Sequence, residues 1–265
     1  MDDLTVITKT FPLSQNVLNV YCLGDLHVGS PEYDEASVKK KIDIIKKDKN
    51  GVVCIAGDLG DFGLKNSKSN VYLETMSPQE QVNYIRKLFM PIKDKIVAAV
   101  SGNHEERITR EAGLNVLQEL CVHWGCPEVY RENLAITKYL FGSIKGTKQQ
   151  NCFIGITTHG SSRNKHKKFV GTIENADFGF SAHTHTAEYS PQGRIRIDRI
   201  KGTARHVPYK EIVVDAHLKV GGYGLKKEYE VPPPPELQYL ELRAVRDNSH
   251  NRTYHRIINY HTITL

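Results

Sequence analysis

The sequence has no apolar run approaching the roughly 20 residues that a membrane-spanning helix needs. Its acidic start, Met1-Asp2-Asp3, lacks the basic-then-apolar order of a secretion signal. The expectation is a soluble, cytoplasmic protein with no membrane partner. Cysteine is scarce and odd in number, at five. Cys22 and Cys54 fall inside apolar runs, where a thiol acts as a small buried hydrophobe, and Cys121 and Cys126 have no second pair to complete a zinc ribbon or a disulfide framework. There is no internal repeat, and the only low-complexity tract is Pro232 to Pro235. Neither sign of charge dominates: 36 Lys and Arg stand against 30 Asp and Glu, and the resulting +6 fits either an anionic partner or a solvated surface. Histidine is the residue in excess, at 12 of 265.

The length predicts one large core, a single domain over 1–265. Val17–Leu23 and Gly51–Ala56 are short β-rich runs ended by Gly24 and Gly57. Between them Val38, Ile42 and Ile45 recur at helical spacing with lysines on the other face, so Glu35–Lys47 reads as an amphipathic helix and the three segments as a β-α-β unit. Ser77-Pro78-Gln79-Glu80 has the form of a capping box opening a second helix that Pro91 stops. Lys95–Ser101 reads as a third strand ended by Gly102, and a helical stretch runs from Glu105 towards Trp124. Beyond it the chain turns β-like, with strands ending at His159 and before Ala182-His183, and remains strand-like to the end.

Several of these strands end in polar turns that carry Asp25, His27, Asp58, Asn103, His104, His159, His183 and His185. Ligands bind at the carboxyl ends of parallel strands because loops converge there. All eight side chains are hard oxygen or imidazole donors and none is a thiol, a mixture that suits Mn, Fe, Zn or Ni. Asp-x-His and His-x-His place two side chains on one side if the segment is extended. Two such pairs with a carboxylate between them supply enough ligands for two divalent ions about 3.5–4 Å apart.

The order of motifs resembles the calcineurin-like metallophosphoesterase superfamily, in its small stand-alone bacterial and phage form. Asp25-Leu-His27, Gly57-Asp58-Leu-Gly-Asp61, Gly102-Asn103-His104-Glu105, His159 and Ala182-His183-Thr-His185 stand where that family has its five motifs, over about residues 17–186. The resemblance implies a mixed α/β fold, a four-layer α-β-β-α sandwich of two mixed sheets flanked by helices, with the β-rich part 187–265 completing the second sheet. It implies a first ion held by Asp25, His27, Asp58 and His185, and a second held by Asp58, Asn103, His159 and His183. His104 would stand beside the substrate as the catalytic proton donor, oriented by Asp61. The implied reaction is phosphoester hydrolysis by a hydroxide bridging the two ions, with Mn the first choice of metal.

Two positions depart from the pattern. Ala182 replaces a glycine, and Phe62 stands where the protein phosphatases of the superfamily carry a phosphate-binding arginine. The substrate-binding candidates are therefore Asn103, Arg107, Arg110 and Arg163, the last opening a run of four cations to Lys168. Arg194, Arg196, Arg199, Lys201, Arg243, Arg246, Arg252 and Arg256 make the tail basic, while Tyr189, Tyr209, Tyr223 and Tyr229 are candidates either for base stacking or for packing. The expected activity is a phosphodiesterase or nuclease acting on nucleic acid or nucleotides. The alternatives are a phosphomonoesterase and a non-catalytic binding scaffold.

Overall fold

The strand signals resolve into two six-stranded sheets packed face to face. The computed structural model describes residues 4–65, 67, 71–143, 148–162, 169–198, 200, 202–221, 234–246 and 254–265. Arg163 and the basic run to Lys168, Arg199, Lys201, Tyr223, Tyr229, Arg252 and the first two residues of the proline run lie outside the described residues.

One sheet is built on β2 (Val17–Leu23), β3 (Gly51–Ile55), β4 (Ile96–Val100) and β5 (Tyr130–Arg131), all parallel. It is extended antiparallel by the hairpin of β11 (Glu236–Arg246) and β12 (Tyr254–Thr264). The other runs in the order β1 (Ile7–Thr10), β6 (Leu134–Phe141), β7 (Asn151–Thr158), β8 (Phe178–Ser181), β10 (Thr203–Val213) and β9 (Glu188–Asp198). The β-rich tail therefore completes both sheets rather than one. Its two hairpins join different sheets, β10 pairing parallel to β8 and β11 antiparallel to β2.

The alternation of side chains explains the layering. In β2, Leu18, Val20 and Cys22 face the other sheet, where Tyr139, Phe141, Phe153, Phe178 and Phe180 fill the interface. Each such fully buried aromatic contributes about 1.5–3 kcal/mol of transfer free energy. Tyr21 and Leu23 face instead towards α1 (Glu35–Lys47), α2 (Pro78–Phe89) and α4 (Val116–Trp124), which cover this sheet. A smaller cluster of Leu134, Ile156, Val170, Ala176 and Tyr209 lies under the helical residues 169–171 on the other sheet.

Helix α1 has the predicted bounds, capped by the Asp34 side chain accepting from the Ser37 N–H. The Ser77 capping box opens α2 as read. The stretch after Glu105 differs: it is two helices, α3 (Asn103–Ala112) and α4. Gly113 at φ 67° ends the first and the Asn115 side chain caps the second. Lys41 also departs from the expected outer lysine face. It is buried and donates to Asp215 Oδ1 at 3.2 Å and His217 Nε2 at 2.8 Å, while burial pushes its pKa down. The His217 N–H donates to the Asp25 carbonyl at 3.0 Å, so this network backs the first motif loop. Among the described residues no helix is long and apolar enough to cross a membrane.

Candidate metal centre

The carboxyl ends of β2, β3 and β4 in one sheet and of β7 and β8 in the other meet at one end of the sandwich. They deliver Asp25 and His27, Asp58, Asn103 and His104, His159, and His183 and His185 to a common site. Glycines allow the loops to approach. A Cβ on Gly57, at φ 82°, would stand 2.3 Å from the Gly102 nitrogen, and one on Gly102 would stand 2.1 Å from Asp58 Oδ1. Ala182 fits in place of a glycine because Gly24 lies opposite it, where a second Cβ would come within 3.1 Å.

The local backbone corrects the extended reading of the Asp-x-His and His-x-His pairs. Asp25, His27, Asp58, Phe62, His183 and His185 all have φ between 45° and 70°. They are six of the seven described non-glycine residues in the left-handed region. Such conformations cost about 1–3 kcal/mol each and persist where the surroundings impose them. The paired side chains converge because the loops curl at each site residue, not because a strand alternates.

Two donor sets result. In one, His27 Nε2 and His185 Nε2 are 3.0 Å apart and Asp25 Oδ1 lies 3.9 Å from His185 Nε2. In the other, Asn103 Oδ1 lies 2.8 Å from His183 Nδ1 and 3.1 Å from His159 Nε2, and Asp58 Oδ2 lies 3.2 Å from His159 Nε2. Donor atoms at about 2.1 Å from one ion and at right angles to each other stand about 3 Å apart, so these spacings suit shared coordination. Asp58 also groups with His27 and His104, which places it between the two sets.

The hydrogen bonds behind the donors fit the same chemistry. A carbonyl only accepts, so His159 Nδ1 donates to the Ala56 carbonyl at 2.7 Å, which turns Nε2 into the site; there Nε2 carries a proton against Asp58 that a bound cation would replace. His27 Nδ1 likewise donates to Asp61 Oδ1 at 3.1 Å, with Nε2 turned into the site. Metal-binding histidines characteristically donate their second N–H in this manner. Asp25 is fully buried, its Oδ2 accepts the His183 N–H at 2.7 Å, and its Oδ1 has no hydrogen-bond partner. Burial pushes this carboxyl up to about 7, and a cation on the orphaned oxygen would satisfy it. Burial acts the same way on Asp58, yet the adjacent His159 overrides it and holds Asp58 below the carboxylate range, while His159 itself rises to about 10. His185 is pushed down to about 3 by burial, then by His27. The residues present therefore fit two divalent cations.

Asp61 meets His104 chiefly through its main chain: His104 Nδ1 donates to the Asp61 carbonyl at 2.5 Å, with Asp61 Oδ1 also 3.4 Å from it, leaving Nε2 3.8 Å from Asp58 Oδ2. The Asp61 carboxylate goes mainly to His27, and it is also hydrogen-bonded to Glu74. Burial and that carboxylate push Glu74 up to about 9, so Glu74 is the protonated partner. Phe62 is buried in the helix-side core, its N–H held by Gln81 Oε1 at 2.8 Å. Arg107 reaches the site edge, donating to the Asp61 and Phe62 carbonyls at 3.2 and 3.3 Å. Arg110 does not: its side chain is exposed, 3.6 Å from Glu111. Tyr209 and Tyr189 pack, under Arg194 and against Tyr260 respectively, and Arg243 is neutralised by Glu241 at 2.6 Å.

Sequence reasoning gave Glu105 no role, yet its buried carboxylate ties the loops together. It accepts from the Asp58 and Leu59 N–H groups at 2.8 Å and from Gly102 N–H at 2.9 Å. Its place as the third residue of α3, from which a carboxylate reaches back to the N–H of the residue before the helix, was the available signal. Glu105→Ala orphans three buried N–H groups. It is expected to lower unfolding free energy by about 3 kcal/mol or more, which urea denaturation measures.

The family model of the calcineurin-like phosphoesterases matches residues 18–187. No curated protein sequence matches the chain. Solved structures similar to it include Vps29 of Chaetomium thermophilum, at 12% identity over 93% of this chain and 98% of that one, with a TM-score of 0.40. The same protein complexed with a RaPID-derived cyclic peptide, RT-D3, matches at 10% identity over 94% and 97% of the two chains, with a TM-score of 0.36.

Proposed function

Because the chain belongs to the calcineurin-like phosphoesterase family, we propose that it is a two-metal phosphodiesterase acting on nucleic acid or nucleotides. The observation that carries this reading is the pair of donor sets joined at Asp58. Asp25, His27, Asp58 and His185 would hold one divalent ion, Mn the first choice, and Asp58, Asn103, His159 and His183 the other. When bound, such a pair supplies an activated water and offsets charge on the phosphoryl oxygens. The chain's own groups do the rest. His104, fixed through Nδ1, presents Nε2 to the leaving oxygen and as the imidazolium would deliver its proton; burial lowers its pKa, and the neighbouring Asp58 opposes that fall. Arg107, anchored beside it, faces the same anion.

The preference for a diester rests on position 62. Phe62 is buried where the protein phosphatases of the family carry an arginine for the dianionic phosphate, which leaves Arg107 as the arginine at the site edge, a single cation suited to a diester monoanion. The test compares bis-p-nitrophenyl phosphate with p-nitrophenyl phosphate in added Mn²⁺, alongside single- and double-stranded DNA and RNA. Diester turnover with little monoester turnover is expected. Turnover of the monoester alone would sink the reading.

A further inference from the structure

The tail contains a feature that the metal centre does not use. Strand β10 pairs with β8 only from Lys210 to Val213, whereas its pairing with β9 continues to Thr203 opposite Asp198. Among the described residues the ribbon beyond Tyr209 therefore has no neighbouring strand, and β9 is the edge of its sheet. Arg194 fixes its root, donating to the Ile173 and Val170 carbonyls at 3.1 and 3.0 Å with its guanidinium 3.7 Å over the Tyr209 ring.

The free part has two unlike faces. Arg196 is directly opposite Arg205 in the register, with Arg194 two residues along the same face. Like charges facing each other across a strand pair are destabilising unless an anion lies between them. Neither Arg196 nor Arg205 forms an ion pair among the described residues, and Asp177, the one acid acting on Arg196, is already paired with Arg256 at 3.2 Å. Burial, and then Arg256, Arg205 and Arg194, push the Arg196 guanidinium below its ordinary pKa. On the opposite face Ile195 is 76% and Ile197 68% exposed, and Ile200 at the turn is 97% exposed. In sequence, residues 192–206 hold five cations, one acid and no Phe, Tyr or Trp.

We propose that the paired segments 194–198 and 202–206 form an arm that grips a nucleic acid duplex, the isoleucine face lying in a groove while Arg196 and Arg205, on the other face, reach past the edges of the narrow ribbon to the phosphates of the groove walls. A two-stranded ribbon fits a duplex groove, and apolar wedges beside arginines are a recurring way of holding one. Single-strand binders rely on aromatic stacking platforms, which this arm does not carry. The choice of nucleic acid rests on the phosphodiesterase reading above. Arg205 lies eight residues along β10 from Val213, which sits beside Ser181 at the metal end, or about 26 Å. At about 3.4 Å per base pair a duplex must therefore span about eight base pairs to reach both.

Fluorescence anisotropy with a labelled duplex of about 20 base pairs, in EDTA across a salt series, tests the arm apart from hydrolysis. Arg196→Ala/Arg205→Ala is expected to weaken binding about tenfold or more and to flatten the log Kd against log salt slope by about two. Ile195→Ser/Ile197→Ser should weaken duplex binding without changing the slope. All arm variants should retain wild-type turnover of bis-p-nitrophenyl phosphate. Unchanged duplex affinity in the arginine variant would overturn the proposal, as would tighter arm-dependent binding to a single strand or to anionic phospholipid vesicles. Arm-dependent duplex binding by a protein inert toward every phosphodiester would reject the phosphodiesterase reading and leave the arm standing.

Discussion

His104→Ala is expected to retain both divalent ions and lose about 10²–10⁴-fold in kcat on a diester whose leaving group is an alkoxide. The imidazole is not required as a ligand in either set: Nδ1 is committed to the Asp61 carbonyl, and Nε2, although grouped with His27 and Asp58, stands 3.8 Å from Asp58 Oδ2. Metal content measured by plasma emission should therefore match the wild type. The same variant should lose far less on bis-p-nitrophenyl phosphate, because p-nitrophenolate leaves without needing a proton. That contrast separates a proton donor from a residue that only shapes the pocket, whose removal would slow both substrates alike. Equal losses on the two leaving groups would contradict the assigned role. Arg107, held by the neighbouring Asp61 and Phe62 carbonyls, keeps that loop in place when the imidazole is gone.

The motif loops were legible because each is a short string at the end of a strand whose apolar run announces it. The β-α-β unit from Val17 to Ile55 and the capping box at Ser77 are local signals and appear as read. What escaped depends on distance or on backbone geometry. Lys41 looks like one more outer lysine of an amphipathic helix, and its burial is decided by Asp215 and His217, more than 170 residues away. The curled loops at Asp25, His27, Asp58, His183 and His185 carry only a weak sequence mark, since Asp and His are enriched in the left-handed region yet mostly lie outside it. The split between α3 and α4 was marked, by Gly113 and Asn115, and the apolar pattern on either side obscured it. Arg110 follows Arg107 by three residues, yet only Arg107 reaches the carbonyls at the site edge.

Asp58→Ala tests the centre from the other side, and it is expected to remove metal as well as activity. Asp58 is the residue common to the two groupings that also contain His104 and His159, and it is almost wholly buried. Its Oδ1 accepts the His104 N–H at 2.8 Å, which leaves Oδ2 as the donor facing His159 Nε2 at 3.2 Å. Since burial lifts Asp25 to about 7 while His159 holds Asp58 ionised, Asp58 is the stronger negative charge between the donor sets before any cation arrives. Removing one outer partner of a metal ligand costs about 10–100-fold in affinity, so losing a shared ligand should cost at least about 100-fold at both positions. Asp58→Asn keeps the shape and the Oδ1 acceptor while discarding the charge. It guards against an alanine variant that fails to fold, and it should show the same metal loss by calorimetric titration. If both Asp58 variants bind two ions with wild-type affinity, Asp58 does not join the sites and the shared-ligand reading falls. If they lose metal while His104→Ala does not, ligand and proton donor are separated by experiment as they are by the geometry.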